Sequence, residues 1–441
     1  MRMSIPSCAR VDNTLPRWYP PYALAILLLA YVVAFIDRQV LNLLVEPIRH
    51  DTGLSDTQIS LLQGLSFAVF VSFGGLPIGR LVDTRRRTGL LAAGIVAWTL
   101  CTGAFGIVGS FAGMLAARVG VGVGEATMTP SAYSLIGDYF DDRRLGIAAA
   151  VYGMGAFLGS GLALVIGAGV LRLVPAGAVV LPVIGSIHGW QLVFLLLVPI
   201  GLVAAAWVWT LREPERRGAG PEAPGRVEIA AYFRRHGRAI FGVDAAIGFV
   251  TMATYGLLAW APALLGRHYG LPPVEAGWRL GLVIIVACSA GTLGAGYAGD
   301  VLRRRGLAAG RLMVLATALA VAIPFAALAP RAATSNGFFA LVAPLFFLLA
   351  AAIGSGPATL QEITPNRMRG IQHAIAVLAS SLIGLGVGPT AVALVTDRVL
   401  GDPLRVGESL ALVLPIMLAA GATSCLLSLR SYARTLLAVT R

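Results

Sequence analysis

The chain has 441 residues and a formal net charge of +13, and every basic residue other than histidine is Arg. It is 57% hydrophobic but only 12% charged, about half the charged share of a soluble domain, with a mean hydropathy of +0.81. Such a surface does not suit water. Nor is nucleic acid an expected partner, because the arginines fall in short loops between apolar runs.

In chain order, residues 1–21 are polar and Pro-rich without an apolar core, so they read as a tail and not as a cleaved leader. Runs of about 20 apolar residues then recur, each long enough to cross a bilayer as a helix. Six are predicted at Tyr22–Val45, Gln58–Ile78, Thr88–Gly109, Phe111–Ile136, Leu145–Leu171 and Gln191–Leu211. Six more are predicted at Ile240–Leu265, Ala276–Gly299, Gly310–Leu328, Gly337–Gln361, Gln372–Thr396 and Ser409–Leu429. The expected fold is therefore all-α, with twelve transmembrane helices in two six-helix bundles. The domains are residues 1–211, a linker at 212–239, and residues 240–441. Between the fifth and sixth spans, Arg172–His188 is mostly apolar and reads as an outward extension packed on the protein.

An even number of spans puts both termini on one side. The tails and loops on that side hold 25 Arg, the opposite loops hold six, and the spans hold Arg38, Arg118 and Arg279. The excess of basic residues marks the cytoplasmic side, so both termini are expected there. Within the linker, Glu213–Gly225 is Pro/Gly-rich and expected to be flexible. Arg226–Arg238 mixes Val227, Ile229, Tyr232 and Phe233 with arginines, as in a short amphipathic helix on headgroups.

The loop after the second span reads Gly79-x3-Asp83 followed by Arg85, Arg86 and Arg87. The loop after the eighth reads Gly296-x3-Asp300 followed by Arg303, Arg304 and Arg305. A second pair is Asp138-x4-Arg143 after the fourth span and Glu362-x4-Arg367 after the tenth. Matched motifs half a chain apart imply that the halves are structural repeats. The glycines would let helices approach closely, and the charges would lock the halves together on the cytoplasmic face. That reading makes Gly79, Asp83, Arg86, Arg87, Asp138, Arg143, Asp300, Arg304, Glu362 and Arg367 a cytoplasmic gate.

On these residues the chain resembles the major facilitator superfamily, and Arg118-x3-Gly122-x-Gly124-Glu125-Ala126 is similar to a further motif of that family. The stretch FIDRQVLNLLVEPIRHDTGLSDTQISLLQG, with GVGEA and DYFDDRR, resembles its spinster branch. The resemblance implies a bacterial inner-membrane transporter that couples protons to the movement of a lipid such as a lysophospholipid or sphingosine phosphate. It works by alternating access. A drug or small organic-anion proton antiporter of the same fold is the alternative. A monomer is expected. Partners beyond the substrate would be protons and membrane lipids.

An ionisable residue inside a span is costly, so each is a functional candidate. At 1.5 Å per residue, Asp37 lies roughly 12 Å from the outer end of the first span and Arg118 roughly 10 Å from the outer start of the fourth. They are therefore within reach of an ion pair. Glu125, seven residues past Arg118, projects from the same helix face. Asp37 and Glu125 are the predicted proton carriers, tuned by Arg118, with Arg38 facing an anionic substrate group. Tyr31, Glu125, Thr251, Tyr255, Trp260, Ser289, Thr359, Ser380 and Ser381 are further predicted cavity residues. Asp244, Arg279, Glu362, His373 and Asp397 lie near span ends, where snorkelling is the simpler account. Glycines in the fifth (Gly153, Gly155, Gly159, Gly161) and eleventh spans (Gly384, Gly386, Gly388, with Pro389) are expected to permit bending. Cys8, Cys101, Cys288 and Cys425 have no metal or redox spacing, and no nucleophile elbow, zinc motif or phosphate loop occurs. No cofactor, metal or enzymatic activity is expected.

Overall fold

In a computed structural model of the chain, residues 16–173, 179–181, 185–216, 225–307, 309–365 and 368–440 are described. Eleven helices there are long and apolar enough to span a membrane. The first is α1 (Tyr19–Leu43). α2 runs through Asp56–Ser60, a π segment at Leu61–Leu65, and Ser66–Thr84. After α3 (Arg87–Ile107) comes the twelfth span, α4, which is broken into Phe111–Glu125 and Met128–Tyr139. The sequence had read it as continuous. Pro130 offers no N–H to the Ala126 carbonyl four residues earlier, so the helix opens at Ala126–Thr127. There the Thr127 hydroxyl donates to the Gly124 oxygen at 2.8 Å.

α5 (Asp142–Leu173) and α6 (Gly189–Trp209) complete the first half. Between them, two short strands, β1 (Val179–Leu181) and β2 (Gly185–Ile187), pair antiparallel. The expected extension is thus partly a hairpin. Residues 174–178 and 182–184 of it lie outside the described residues.

The second half holds α7 (Arg226–Tyr269), α8 (Pro273–Arg304), α9 (Gly310–Leu328) and α10 (Ser335–Glu362). It ends with α11, which runs from Arg369 to Leu400 through two π segments at Ser380–Val387 and Val395–Leu400, and α12 (Val406–Thr440). The predicted amphipathic linker helix is present but not separate. It is the first part of α7, whose 44 residues give a length of roughly 66 Å. Its polar residues dock on the second half, where His236 Nδ1 lies 3.0 Å from the Thr435 hydroxyl and the Tyr232 hydroxyl donates to the Ile363 oxygen. The start of the linker is also tied down: Arg216 Nη2 donates to the Val82 oxygen at 2.6 Å and the Arg85 oxygen at 2.9 Å.

Each half packs within itself, α1 on α5 and α3 on α6 in the first, α7 on α12 and α8 on α10 in the second. Trp98, Phe67, Phe105 and Phe194 fill the first half, and Trp260, Phe338 and Phe346 the second, while Val286, Leu293, Leu426 and Leu427 are exposed on the outside. Exposed leucines and valines in such number are a lipid-facing surface.

The halves meet along α5–α8 and along α2–α11. At the first crossing Gly161 faces Gly281, and a Cβ on Gly281 would lie 2.5 Å from the Gly161 carbonyl oxygen. By contrast, a Cβ on Gly79 or Gly296, the motif glycines, would meet nothing within 4 Å. Close helix approach therefore occurs at the half-to-half crossing and not at the loop motifs. Gly281→Ala is expected to lower thermal stability in detergent by about 1–3 kcal/mol, as overpacking does. Gly296→Ala is expected to be neutral or slightly stabilising. Equal melting temperatures for the two variants would contradict this account.

Candidate functional site

Four charged side chains meet where α1, α2 and α4 pack together. Asp37, Arg118 and Glu125 are 3%, 1% and 5% exposed. Arg38 is ion-paired to Glu125 through Nη2. Arg118 Nη1 lies 4.0 Å from Asp37 Oδ1, and the Thr102 hydroxyl donates to the other Asp37 oxygen. Arg118 Nε also donates to the Leu62 carbonyl oxygen at 3.0 Å. Leu62 is in the π segment of α2, where backbone pairing departs from the α register and such local irregularity often serves a site. The Arg38 guanidinium sits 4.6 Å from the Phe35 ring centre and 4.3 Å from that of Phe67. Two acids and two arginines therefore neutralise each other in an apolar shell.

Beside this network, between the halves, lies a cavity of about 310 Å³. Tyr31, Phe35, Phe157 and Ser160 form its first-half wall. The second-half wall has Thr251, Tyr255, Leu258, Ile353, Leu360, Val377, Ser380 and Ser381. Toward the face that carries the termini, the lining turns polar with Gln361, Thr364, Arg369, Gln372 and His373. The His373 and Tyr133 rings approach to 5.9 Å across the two halves there.

On the opposite face the halves are tied. Arg267, at the end of α7, donates to Asp56 Oδ2 at 2.5 Å and Oδ1 at 2.7 Å, and to Glu46 Oε1 at 2.6 Å. Asp397 on α11 accepts from the Thr57 amide at 2.7 Å and hydroxyl at 2.6 Å. A helix N-terminus favours such a carboxylate, and Thr57 opens α2.

On the termini face, the described pairs of the motif charges lie within one half or reach the linker. Arg87, 1% exposed, binds Asp138, Glu213 (2.6 Å) and the Pro214 oxygen (2.9 Å). Glu362 holds Arg303 at 3.2 Å, Arg311 at 3.3 Å and the Tyr432 hydroxyl at 2.8 Å, while Asp300 holds Arg311 at 3.2 Å. Arg86 donates to the Thr88 hydroxyl, and Arg304 is exposed. Among the described residues, no ion pair crosses between the halves on this face. Among the described residues, the ion pairs that tie one half to the other lie on the face opposite the termini. Arg367 and the side chains of Asp83 and Arg143 lie outside the described residues.

Of the residues singled out in the sequence, Tyr31, Thr251, Tyr255, Ser380 and Ser381 line the cavity. The structure puts others elsewhere. Trp260 is fully buried, with its indole N–H on the Pro389 oxygen at 2.9 Å. Thr359 is buried and donates to Ser355. Ser289 lies off the cavity, and Arg38 and Glu125 sit behind its wall, closed on each other. Sequence reading missed Phe35, Gln361, Thr364, Arg369 and Gln372 as cavity residues, and it set His373 aside. Arg369 and His373, four apart at the start of α11, share a helix face. That spacing was a usable signal.

A model of the Major Facilitator Superfamily matches residues 27–389. The chain is 27% identical over 427 residues to an "MFS-type efflux pump" of Mycolicibacterium smegmatis, covering 94% of each chain. It is 24% identical over 395 residues to the "Hexuronate transporter" of Bacillus subtilis, covering 84% of this chain and 87% of that one. Among solved structures it is similar to a bacterial homologue of the human lysosomal transporter spinster, in an inward-facing, unoccupied conformation. The two share 25% identity with a TM-score of 0.75, over 97% of this chain and 98% of the other.

Two outcomes follow from the charge geometry. Arg38→Leu strands the Glu125 carboxylate and is expected to cost about 3–5 kcal/mol, while Arg38→Leu with Glu125→Leu recovers most of that loss. A double-mutant cycle of unfolding in detergent measures both, and additive losses would mean the pair is not coupled. For Glu213, burial works against its charge, but the Thr88 amide at 3.0 Å and the Arg87 guanidinium outweigh it and hold its carboxyl below the ordinary value. Its stabilisation is therefore complete above the unfolded-state pKa of roughly 4.3 and is lost as pH falls through the lowered folded-state value. Glu213→Gln is expected to lower stability at neutral pH and to flatten its decline below about pH 5. Parallel pH–stability curves would remove that role.

Proposed function

The chain belongs to the major facilitator superfamily, and from that premise we propose that it is a proton-coupled secondary transporter of an amphiphilic anionic lipid, of the lysophospholipid or sphingosine-phosphate kind. The observation that carries this reading is the cavity between the halves. It is apolar along most of its length, polar at the end holding Arg369 and His373, and it lies against a buried acid–arginine network. A single acyl chain suits the apolar part of the lining, and an anionic head suits either the end holding Arg369 or Arg38.

The arginine excess puts the termini face in the cytoplasm. On that assignment the conformation is inward-facing, held by Arg267 and Asp397 on the outer face. Protonation of Glu125 removes the charge that holds Arg38 and releases the guanidinium toward the cavity, past the Phe35 and Tyr31 side chains. An anionic head arriving there replaces the lost carboxylate. Asp37 and Arg118 form the second couple, whose separation changes when α4 moves relative to α1. Alternating access then links proton binding to the tilt of the halves. An ionised acid keeps its arginine, whereas a protonated acid leaves that arginine for substrate.

The second reading is a small organic-anion antiporter. The hexuronate transporter relative and the polar mouth formed by Arg369, Gln372 and His373 favour it.

Transport into proteoliposomes separates these readings. Lysophosphatidylglycerol is expected to compete with a labelled anionic lysolipid and to raise the melting temperature, whereas glucuronate does neither. The opposite order of effects would move the assignment to the organic anion. Asp37→Asn and Glu125→Gln are expected to abolish accumulation driven by a proton gradient while leaving gradient-free exchange measurable. Full gradient-driven accumulation by both variants would end the coupling proposal.

A further inference from the structure

The sequence puts Asp244 near a span end, where snorkelling is the simpler account. The structure buries it. Asp244, on α7, is 6% exposed, and among the described residues it forms no ion pair. Its two oxygens lie 3.1 Å and 3.0 Å from a single donor, Nε2 of Gln372 on α11. Gln372 is itself 2% exposed and contributes to the cavity wall. Its own carbonyl oxygen, Oε1, is buried without a hydrogen-bond partner.

An ionised carboxylate in an apolar bundle with one neutral amide as its partner is a costly arrangement, and an orphaned amide oxygen beside it adds to the cost. One proton relieves both. Once the Gln372 amide turns to bring Oε1 against the carboxyl, a neutral Asp244 donates its O–H to that oxygen and accepts from Nε2, closing a ring of two hydrogen bonds. Every polar atom of the pair is then used. Among the described residues, the groups packed on this part of α7 do not offer a competing charge. From α12, Ser424 and Ser428 abut Gly242, and from α10, Gly356 packs on Ile247. On α11, Arg369 and His373 face the cavity, and on α7 itself Arg238 is exposed.

We propose that Asp244 is a further protonation site, in the second half, held as a neutral carboxyl–carboxamide pair with Gln372 while the cavity is open on the termini face. Gln372 stands between Asp244 and the cavity, so water or a substrate that draws its amide away exposes the acid and lets the proton leave. Each half then carries a titratable group, and the pair on α7 and α11 responds to cavity contents directly. This inference does not depend on the identity of the substrate, nor on the roles given to Asp37 and Glu125.

Infrared spectroscopy of the substrate-free protein in liposomes tests it, with both other acids replaced. At neutral pH, the Asp37→Asn/Glu125→Gln protein is expected to keep a protonated-carboxyl C=O band that disappears when Asp244→Asn is added. Absence of the band in the double variant, or its persistence in the triple variant, overturns the proposal. Should the triple variant not fold, Gln372→Leu on the double-variant background replaces it. Loss of the amide then shifts the band or abolishes it, and an unshifted band overturns the proposal equally.

Discussion

A charge inside hydrocarbon has to be matched by another charge or by a dense set of dipoles, and this constraint shapes the first half. Asp37, Arg38, Arg118 and Glu125 come from two helices, and none of them is tolerable alone. Their mutual neutralisation explains why α1 and α4 must pack with their charged faces together. The π segment of α2 joins the network, with the Leu62 carbonyl taking an Arg118 N–H. The break in α4 follows directly after Glu125, between that residue and Met128. The charged network is therefore next to a point where the backbone itself is interrupted.

The remaining polar connections divide by face. On the face opposite the termini, Arg267 and Asp397 join one half to the other through charge-assisted hydrogen bonds. On the termini face, the arginine-rich clusters satisfy carboxylates of their own half, and the linker segment Glu213–Arg216 is folded into one of them. A rocking motion that closes this face must break the first set. The clusters around Arg87 and Glu362 can travel as rigid units, since their bonds lie within a half. The close α5–α8 contact at Gly161 and Gly281 has little side chain to rearrange, which suits an axis about which the halves turn.

The two walls of the cavity differ in kind. In the first half, acids are matched by arginines behind a layer of Tyr31 and Phe35. In the second, among the described residues, Asp244 is matched only by an amide, and the Arg369 guanidinium and the His373 imidazole stand at the mouth. A ligand entering from the termini face thus meets exposed basic groups first, then an apolar length, then aromatic side chains covering Arg38.

The number of spans and the charged quartet could be read from the chain, which also set the expectations of two halves and of the side facing the cytoplasm. Hydrophobic run length and arginine placement are local properties. An ionisable residue in an apolar run also announces itself without any fold. The break in α4 was equally present in Pro130, although it was not read there. What only the tertiary structure decided is which charges meet. Arg38 closes on Glu125, Arg267 reaches back from α7 to Asp56 and Glu46, and Asp244 finds Gln372, at sequence separations of 87, 211, 221 and 128 residues. Such partners are chosen by helix rotation and by the tilt of one half against the other. Both depend on the packing of every helix at once, and no spacing along the chain encodes them.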